Sequence, residues 1–241
     1  MYGDKSLVGR KALFGRNVGR KPDNEFKHRP GQWEKCVIFD FDGTVADTYG
    51  VALKILHDIA ESRRTEPPKD IESLRMMSAA EIIRKYRLSV VDLILFEKKY
   101  EDGVYRRIRS IRPFAGLKAV LRKLDRSYGL GIISSNRREN VFAFLHNTGL
   151  DKYFDFLETG SPLLGKARRI NAIMKKHGYR KSDVVYVGDE VRDIEAAKKV
   201  GIKVIAVGWG FNSTKRLKAA RPSFFVSRPA QLVRVAKAAV R

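Results

Sequence analysis

From residue 36 onwards, short apolar runs alternate with stretches in which apolar residues recur at helical spacing. The apolar runs have the length and composition of buried β-strands, and they lie at 36–39, 130–133, 153–157, 184–187, 203–207 and 224–226. The helical pattern covers 117–124, 140–148, 166–176 and 230–240. Strands that alternate with helices predict an α/β fold with a doubly wound parallel sheet.

A purely helical pattern follows the first strand. Helices are predicted over 49–63, 69–77, 79–86 and 90–108, with Ser78 as an N-cap because Glu81 stands three residues later. This block lies between two α/β signals, so it is predicted to be a small all-helical cap, inserted after the first strand, that closes over the sheet edge and excludes water. The predicted organisation is a basic N-terminal arm at 1–34, an α/β core at 35–47 and 113–241, and a helical cap at 48–112.

The chain becomes polar where three of the predicted strands end. The side chains concerned are Asp40 and Asp42, then Ser134 and Ser135, then Asp189 with Asp193 close behind, and Lys166 begins the helix between the last two groups. Parallel strands present their carboxyl ends at one edge, so these groups are expected to converge there. Carboxylates, hydroxyls and an ammonium group around one point are what phosphoryl transfer requires.

Asp40 and Asp42 are two residues apart, so on a strand both carboxylates address one small ion or substrate group. Two neighbouring anions repel unless a cation lies between them, and oxygen ligands favour Mg²⁺ above all. Each residue also has an ordinary explanation as a turn, a helix cap or a solvated lysine. The set of them in this order favours a catalytic site.

Four motifs carry a resemblance to a known family. Residues 40–45 (DFDGTV), 132–136 (IISSN), Lys166 and 187–193 (VGDEVRD) are similar, in order, to the four motifs of the haloacid dehalogenase superfamily, over about 35–240. The helical cap between the first two motifs resembles the branch that contains phosphoglycolate phosphatases and β-phosphoglucomutase. The resemblance implies a Rossmann-like core.

The resemblance also implies catalytic roles. Asp40 is expected to be the nucleophile that forms an aspartyl-phosphate, and Asp42 the general acid and base. Lys166 is expected to neutralise the charge that Asp40 shares with the phosphate. Ser134, with the N–H group of Ser135, is expected to hold the phosphoryl oxygens.

A metal site is implied as well. The resemblance places Mg²⁺ on Asp40, on the backbone carbonyl of Asp42 and on Asp189. Asp193 or Glu190 is expected to orient these ligands without binding the metal itself.

The presence of Asp42 narrows the reaction. Relatives that dehalogenate carbon substrates lack a carboxylate at this position, so dehalogenation is disfavoured. Phosphatase and phosphomutase both use the same two aspartates and remain open, with hydrolysis of a small phosphomonoester favoured because it needs only water. Phosphoglycolate is one candidate substrate.

The net charge of +22 adds a second class of function. Residues 196–241 contain no Asp or Glu, so non-specific binding of polyanions through a basic surface is an alternative, either by a nucleic-acid-associated protein on this scaffold or by an enzyme that processes the phosphate end of a nucleic acid. A generally basic proteome explains the same surplus.

The cysteine content and the length of the apolar runs indicate the compartment of the protein. Cys36 is the single cysteine and lies in an apolar run, so we expect a buried thiol and a reducing compartment. No apolar run reaches the roughly 18 to 20 residues of a membrane span, so we expect no membrane partner and a cytoplasmic location. The sequence does not indicate an oligomeric state.

Overall fold

Six parallel strands form one sheet in the computed structural model, which describes residues 33–64, 66, 71–160 and 165–240 of the chain. They are β1 (Cys36–Phe39), β2 (Gly129–Ser134), β3 (Phe156–Thr159), β4 (Val184–Gly188), β5 (Lys203–Val207) and β6 (Phe224–Val226). Their order across the sheet is β3-β2-β1-β4-β5-β6. The predicted doubly wound α/β fold is confirmed.

β1 lies between β2 and β4 and is fully buried. Val37 and Phe39 belong to the apolar core on one face of the sheet, whereas Cys36 and Ile38 belong to the core on the other. A strand covered on both faces needs apolar residues at every position, which explains its unbroken apolar run. Cys36 is a free, buried thiol, as expected.

Helices cover both faces of the sheet and fill an insertion after β1. Those of the insertion are α1 (Tyr49–Ser62), α2 (Ile71–Met76), α3 (Ala79–Lys85) and α4 (Val90–Arg107). One face carries α5 (Leu117–Leu124), α6 (Arg138–Thr148) and α10 (Leu232–Ala239), whose apolar residues join Val37 and Phe39. The other carries α7 (Lys166–His177), α8 (Val191–Val200) and α9 (Thr214–Ala219).

The two ends of the helical insertion meet beside β1. Ala46 forms an isolated antiparallel bridge with Pro113, and the Asp47 N–H donates to the carbonyl of Arg112 at 3.0 Å. The chain therefore leaves the sheet and returns to it at one point. This arrangement supports the predicted boundaries, which stay a proposal.

Two helices of the insertion start with reciprocal side-chain caps. Ser78 accepts a hydrogen bond from the Glu81 N–H while the Glu81 carboxylate accepts from the Ser78 N–H. Ser89 and Asp92 do the same at the start of α4. The predicted N-cap at Ser78 is thus present, and the sequence signal that found it also occurs at Ser89.

The structure differs from the sequence prediction at β3, which pairs over Phe156–Thr159 and not over 153–157. Asp151–Tyr153 forms a short 3₁₀ turn instead. Tyr153 and Phe154 are buried by packing and make no strand pairs, so their apolar character misled the prediction. The short helix α9 was not predicted, because Leu217 is its only buried residue.

The predicted arm at 1–34 falls almost wholly outside the described residues, which begin at Trp33. Residues 69 and 70 of the second predicted helix also lie outside them. Among the described helices, none has both the length and the apolarity that a membrane crossing requires.

Candidate active site

The polar residues that follow β1, β2 and β4 lie at one edge of the sheet. Phe39 is level with Ile132 of β2 and with Val187 of β4, so the three strands end almost together. Asp40, Ser134 and Asp189 therefore converge, and all three are buried. This edge is also where the chain order reverses on either side of β1, the usual position of a ligand site in such sheets.

Lys166 lies between an acid that follows β1 and an acid that follows β4. Its ammonium group lies 2.9 Å from Asp40 Oδ2, contacts Asp193 Oδ1 and lies 5.4 Å from the centre of the Tyr186 ring. Burial opposes the charge on Lys166, but the carboxylates of Asp193 and Asp40 outweigh it and hold the pKa of the lysine well above its usual value. Lys166 is thus a fixed positive charge beside Asp40.

Three buried carboxylates form a cluster beside this lysine. One oxygen each from Asp40, Asp189 and Asp193 lies within 4.8 Å of the others. Burial raises the pKa of Asp40 to about 6, against the opposing effect of Lys166, and burial with Glu190 raises the pKa of Asp189 well above its usual value.

The cluster fits a hard divalent cation. Lys166 contacts two of the three acids, Asp40 and Asp193, and the nearby Arg192 pairs with Glu190. Negative charge therefore remains to be neutralised, and the ligand atoms are all oxygens. The structure brings the carboxylate of Asp193 into this group, whereas the sequence prediction placed Asp193 behind the metal ligands. The side chain of Asp42 is not part of the cluster; its predicted contribution was the backbone carbonyl.

Asp189 is held by two donors from neighbouring loops. The Thr44 hydroxyl donates to Oδ1 at 2.6 Å, and the Phe211 N–H donates to Oδ2 at 2.6 Å. Gly43 and Gly210 pass so close that a Cβ atom on either would lie within 2.3 Å of Asp189 Oδ2. The role of Thr44 was missed, because a threonine after Asp-Gly is an ordinary turn residue.

Asp42 has different partners. The Tyr100 hydroxyl donates to Oδ1 at 2.7 Å, and the Asn136 amide lies 3.2 Å from each carboxylate oxygen. Burial raises the pKa of Asp42 to about 6, although both hydrogen bonds act to lower it. Burial also raises the pKa of Tyr100, so the phenol stays a donor.

The loop after β2 supplies hydroxyl groups. Ser134 is fully buried, its Oγ accepts from the Asn136 N–H at 3.0 Å, and its carbonyl accepts from Arg169 at 2.7 Å. Ser135 is partly exposed beside it. Within the described part of the chain, the Ser134 hydroxyl donates to no acceptor, so its proton is available to a bound anion.

Glu190 pairs with Arg192, and its N–H donates to Asp193 Oδ2 at 3.0 Å. The backbone N–H of Glu190 therefore helps to orient Asp193.

The helical insertion contacts the core on two sides of the site. Arg75 of α2 donates to the carbonyls of Gly210 at 3.1 Å and Gly208 at 3.3 Å. On the other side, Arg137 at the start of α6 forms ion pairs with Glu101 and with Asp102 of α4, the latter at 2.8 Å. The insertion thus spans the sheet edge where the acids lie.

Comparison with known proteins identifies the family. The model of the haloacid dehalogenase-like hydrolase family matches residues 37–207. A phosphoglycolate phosphatase of Synechococcus elongatus is 35% identical over 202 residues, which cover 83% of this chain and 95% of the relative. The pyrophosphatase PpaX of Listeria innocua is 23% identical, with the same coverage of each chain.

Solved structures share the fold. A haloacid dehalogenase-like family hydrolase from Streptococcus pneumoniae superposes with a TM-score of 0.71 at 21% identity, covering 83% of this chain and 97% of the other. A predicted phosphoglycolate phosphatase from Haemophilus somnus gives 0.67 at 16% identity, covering 88% and 99%. The chain belongs to the haloacid dehalogenase-like hydrolase family and is a phosphoric monoester hydrolase.

Proposed function

We propose that the protein is an Mg²⁺-dependent phosphatase that hydrolyses a small phosphomonoester through an aspartyl-phosphate on Asp40. The observation that carries this proposal is the placement of Asp40, which is 4% exposed, pairs with Lys166 and shares an oxygen cluster with Asp189 and Asp193. Asp42 stands two residues further with its own set of hydrogen-bond donors.

In the first step, a carboxylate oxygen of Asp40 attacks phosphorus while Asp42 gives its proton to the leaving oxygen. In the second, Asp42 takes a proton from water, which attacks the aspartyl-phosphate and releases inorganic phosphate. A pKa near 6 suits Asp42 for both roles at neutral pH. Lys166, the Ser134 hydroxyl and the Ser135 N–H stabilise the charge on the phosphoryl oxygens.

Asp40, Asp189 and the carbonyl of Asp42 would hold the Mg²⁺ ion, with Asp193 joining or orienting them. When bound, the ion neutralises the carboxylates and the phosphoryl group so that the two anions can approach. The helical insertion is proposed to act as the cap at 48–112, which excludes water while Asp42 transfers its proton.

Phosphoglycolate is the substrate we propose first, because the relative that is 35% identical carries that activity in its name. A panel of phosphoglycolate, pyrophosphate, hexose phosphates and nucleotides, assayed with Mg²⁺ and with chelator, tests this choice. We expect release of phosphate from at least one small phosphomonoester, only with Mg²⁺. Isomerisation of a hexose phosphate without release of phosphate would favour the phosphomutase alternative.

Polyanion binding is a second proposal, carried by exposed basic residues in the acid-free region 196–240. They include Lys198, Lys199, Lys215, Lys218 and Arg221. Binding of a nucleic acid through these residues should weaken steeply with salt and be unchanged by Asp40→Asn, since it depends on counterion release and not on the site. Salt-independent binding would contradict it. The cytoplasmic location stays a prediction from the sequence.

A further inference from the structure

One residue of the helical insertion reaches the acid and base of the proposed reaction. Tyr100 of α4 is 58 residues from Asp42 along the chain, yet its hydroxyl donates to Asp42 Oδ1 at 2.7 Å. The contact therefore depends on how α4 sits on the core.

The turn of α4 that carries Tyr100 is tied to the start of α6. Arg137 forms ion pairs with both Glu101 and Asp102, the residues that directly follow Tyr100. The Asn140 amide donates to the backbone carbonyl of Glu101 at 2.8 Å. We call these contacts between α4 and α6 the polar latch.

The polar latch is continuous with the other donor to Asp42. The same Asn140 amide also donates to Asn136 Oδ1 at 2.8 Å, and the Asn136 amide contacts both oxygens of Asp42. Asn140 thus bridges the α4 backbone and the side chain that holds Asp42 from the core. One hydrogen-bond network therefore links the docking of α4 to the orientation of Asp42.

We propose that Tyr100 is a positioning residue that fixes the carboxyl group of Asp42 for proton transfer while the polar latch holds α4 on α6. The inference rests on the proposed function. The terminal torsion of an aspartate is broad, so a carboxyl group held by the core amide alone samples many orientations. The phenol adds a second, shorter hydrogen bond and selects one of them.

The test compares Tyr100→Phe with Tyr105→Phe. Tyr105 lies on the same helix, and its hydroxyl is buried with no hydrogen-bond partner among the residues that the structure describes, so it is a matched control. Each protein is assayed with Mg²⁺ on p-nitrophenyl phosphate, whose leaving group needs little protonation, and on the best alkyl phosphate of the panel, whose leaving group needs a proton.

We expect Tyr100→Phe to lower kcat about 10-fold on the alkyl phosphate and less than about 3-fold on the nitrophenyl ester, with KM nearly unchanged. Tyr105→Phe should match the unmodified protein on both. Asp102→Asn removes one ion pair of the polar latch. It should therefore lower kcat in the same pattern as Tyr100→Phe, more on the alkyl phosphate than on the nitrophenyl ester, but by a smaller factor.

An equal loss on both substrates would overturn the inference, since it would show a structural role. Unchanged rates in Tyr100→Phe would overturn it too, and with an active unmodified protein either result leaves the proposed function standing. If the unmodified protein itself releases no phosphate from any substrate, the proposed function fails and this inference fails with it.

Discussion

Gly43 turns the chain away from the sheet directly after the two acids that follow β1. Its φ is +74°, in the left-handed region that disfavours residues with a side chain. A Cβ atom there would lie 2.3 Å from Asp189 Oδ2 and 2.4 Å from the ring of Phe211. The glycine is therefore required twice, for the turn and for the close approach of Asp189.

Gly43→Ala should lower the stability of the protein by about 1 to 2 kcal/mol from the backbone conformation alone. Displacement of Asp189 should lower phosphatase activity about 10-fold or more. Thermal unfolding and Mg²⁺-dependent phosphate release measure the two effects.

Gly50→Ala is the matched control. Gly50 lies in α1, and no atom lies within 4 Å of where its Cβ would be, so the change should be neutral or stabilising by about 0.5 to 1 kcal/mol. Normal activity in Gly43→Ala would contradict the assigned geometry of Asp189.

At the scale of elements, the sequence predicted all six strands of the sheet, and only the bounds of β3 differ from the prediction by more than one residue. Strands and helices could be recognised from the spacing of apolar residues, because both faces of the sheet are covered and this burial fixes which positions must be apolar. The residues that end β1, β2 and β4 could be placed together because parallel strands share an edge. Contacts that depend on the docking of one helix, such as that of Tyr100 with Asp42, leave no local signal in the sequence.

The start of α4 gives a prediction at this scale. Ser89→Ala removes the side chain that accepts from the Asp92 N–H, so the protein should lose about 1 kcal/mol of stability. Thermal or denaturant unfolding measures the loss. Ser110→Ala, at an exposed hydroxyl that bonds only the Arg107 carbonyl among the contacts described, serves as control and should change little. Equal stability of the two variants would show that the N-cap hydrogen bond of Ser89 contributes nothing to the stability of the protein.

At the scale of the molecule, a strongly basic chain surrounds a buried acidic centre. The net charge is +22, yet Asp40, Asp189 and Asp193 are each no more than 4% exposed. Burial of carboxylates costs stability unless a cation compensates them, and Lys166 alone compensates only part. The buried acids therefore favour the binding of a cation, and they lower the stability of the metal-free protein.

The metal-free protein should become more stable as the pH falls from 7.5 to 5.5. Asp40 and Asp42 have pKa values raised to about 6, above those of an unfolded chain, so the folded protein binds protons first in this range. Stability then falls as the pH rises through about 6, by about 1 to 2 kcal/mol from these two carboxyl groups together.

Thermal unfolding in chelator at a series of pH values measures this slope. Asp40→Asn combined with Asp42→Asn should make this slope shallower, and the raised pKa of Asp189 supplies what remains. Saturating Mg²⁺ in the unmodified protein should also make it shallower, because the ion competes with protons at Asp40 and Asp189. A metal-free protein that is less stable at pH 5.5 than at pH 7.5 would contradict the raised pKa values.

The central claim, that Asp40 is the nucleophile, is tested most directly by trapping phosphate on the protein. After acid quench of a reaction with a ³²P-labelled phosphomonoester and Mg²⁺, label should remain on the unmodified protein and on Asp47→Asn, an exposed acid of the same loop. No label should remain on Asp40→Asn. Label of equal amount on Asp40→Asn, or phosphate release by that variant at the unmodified rate, would contradict the account.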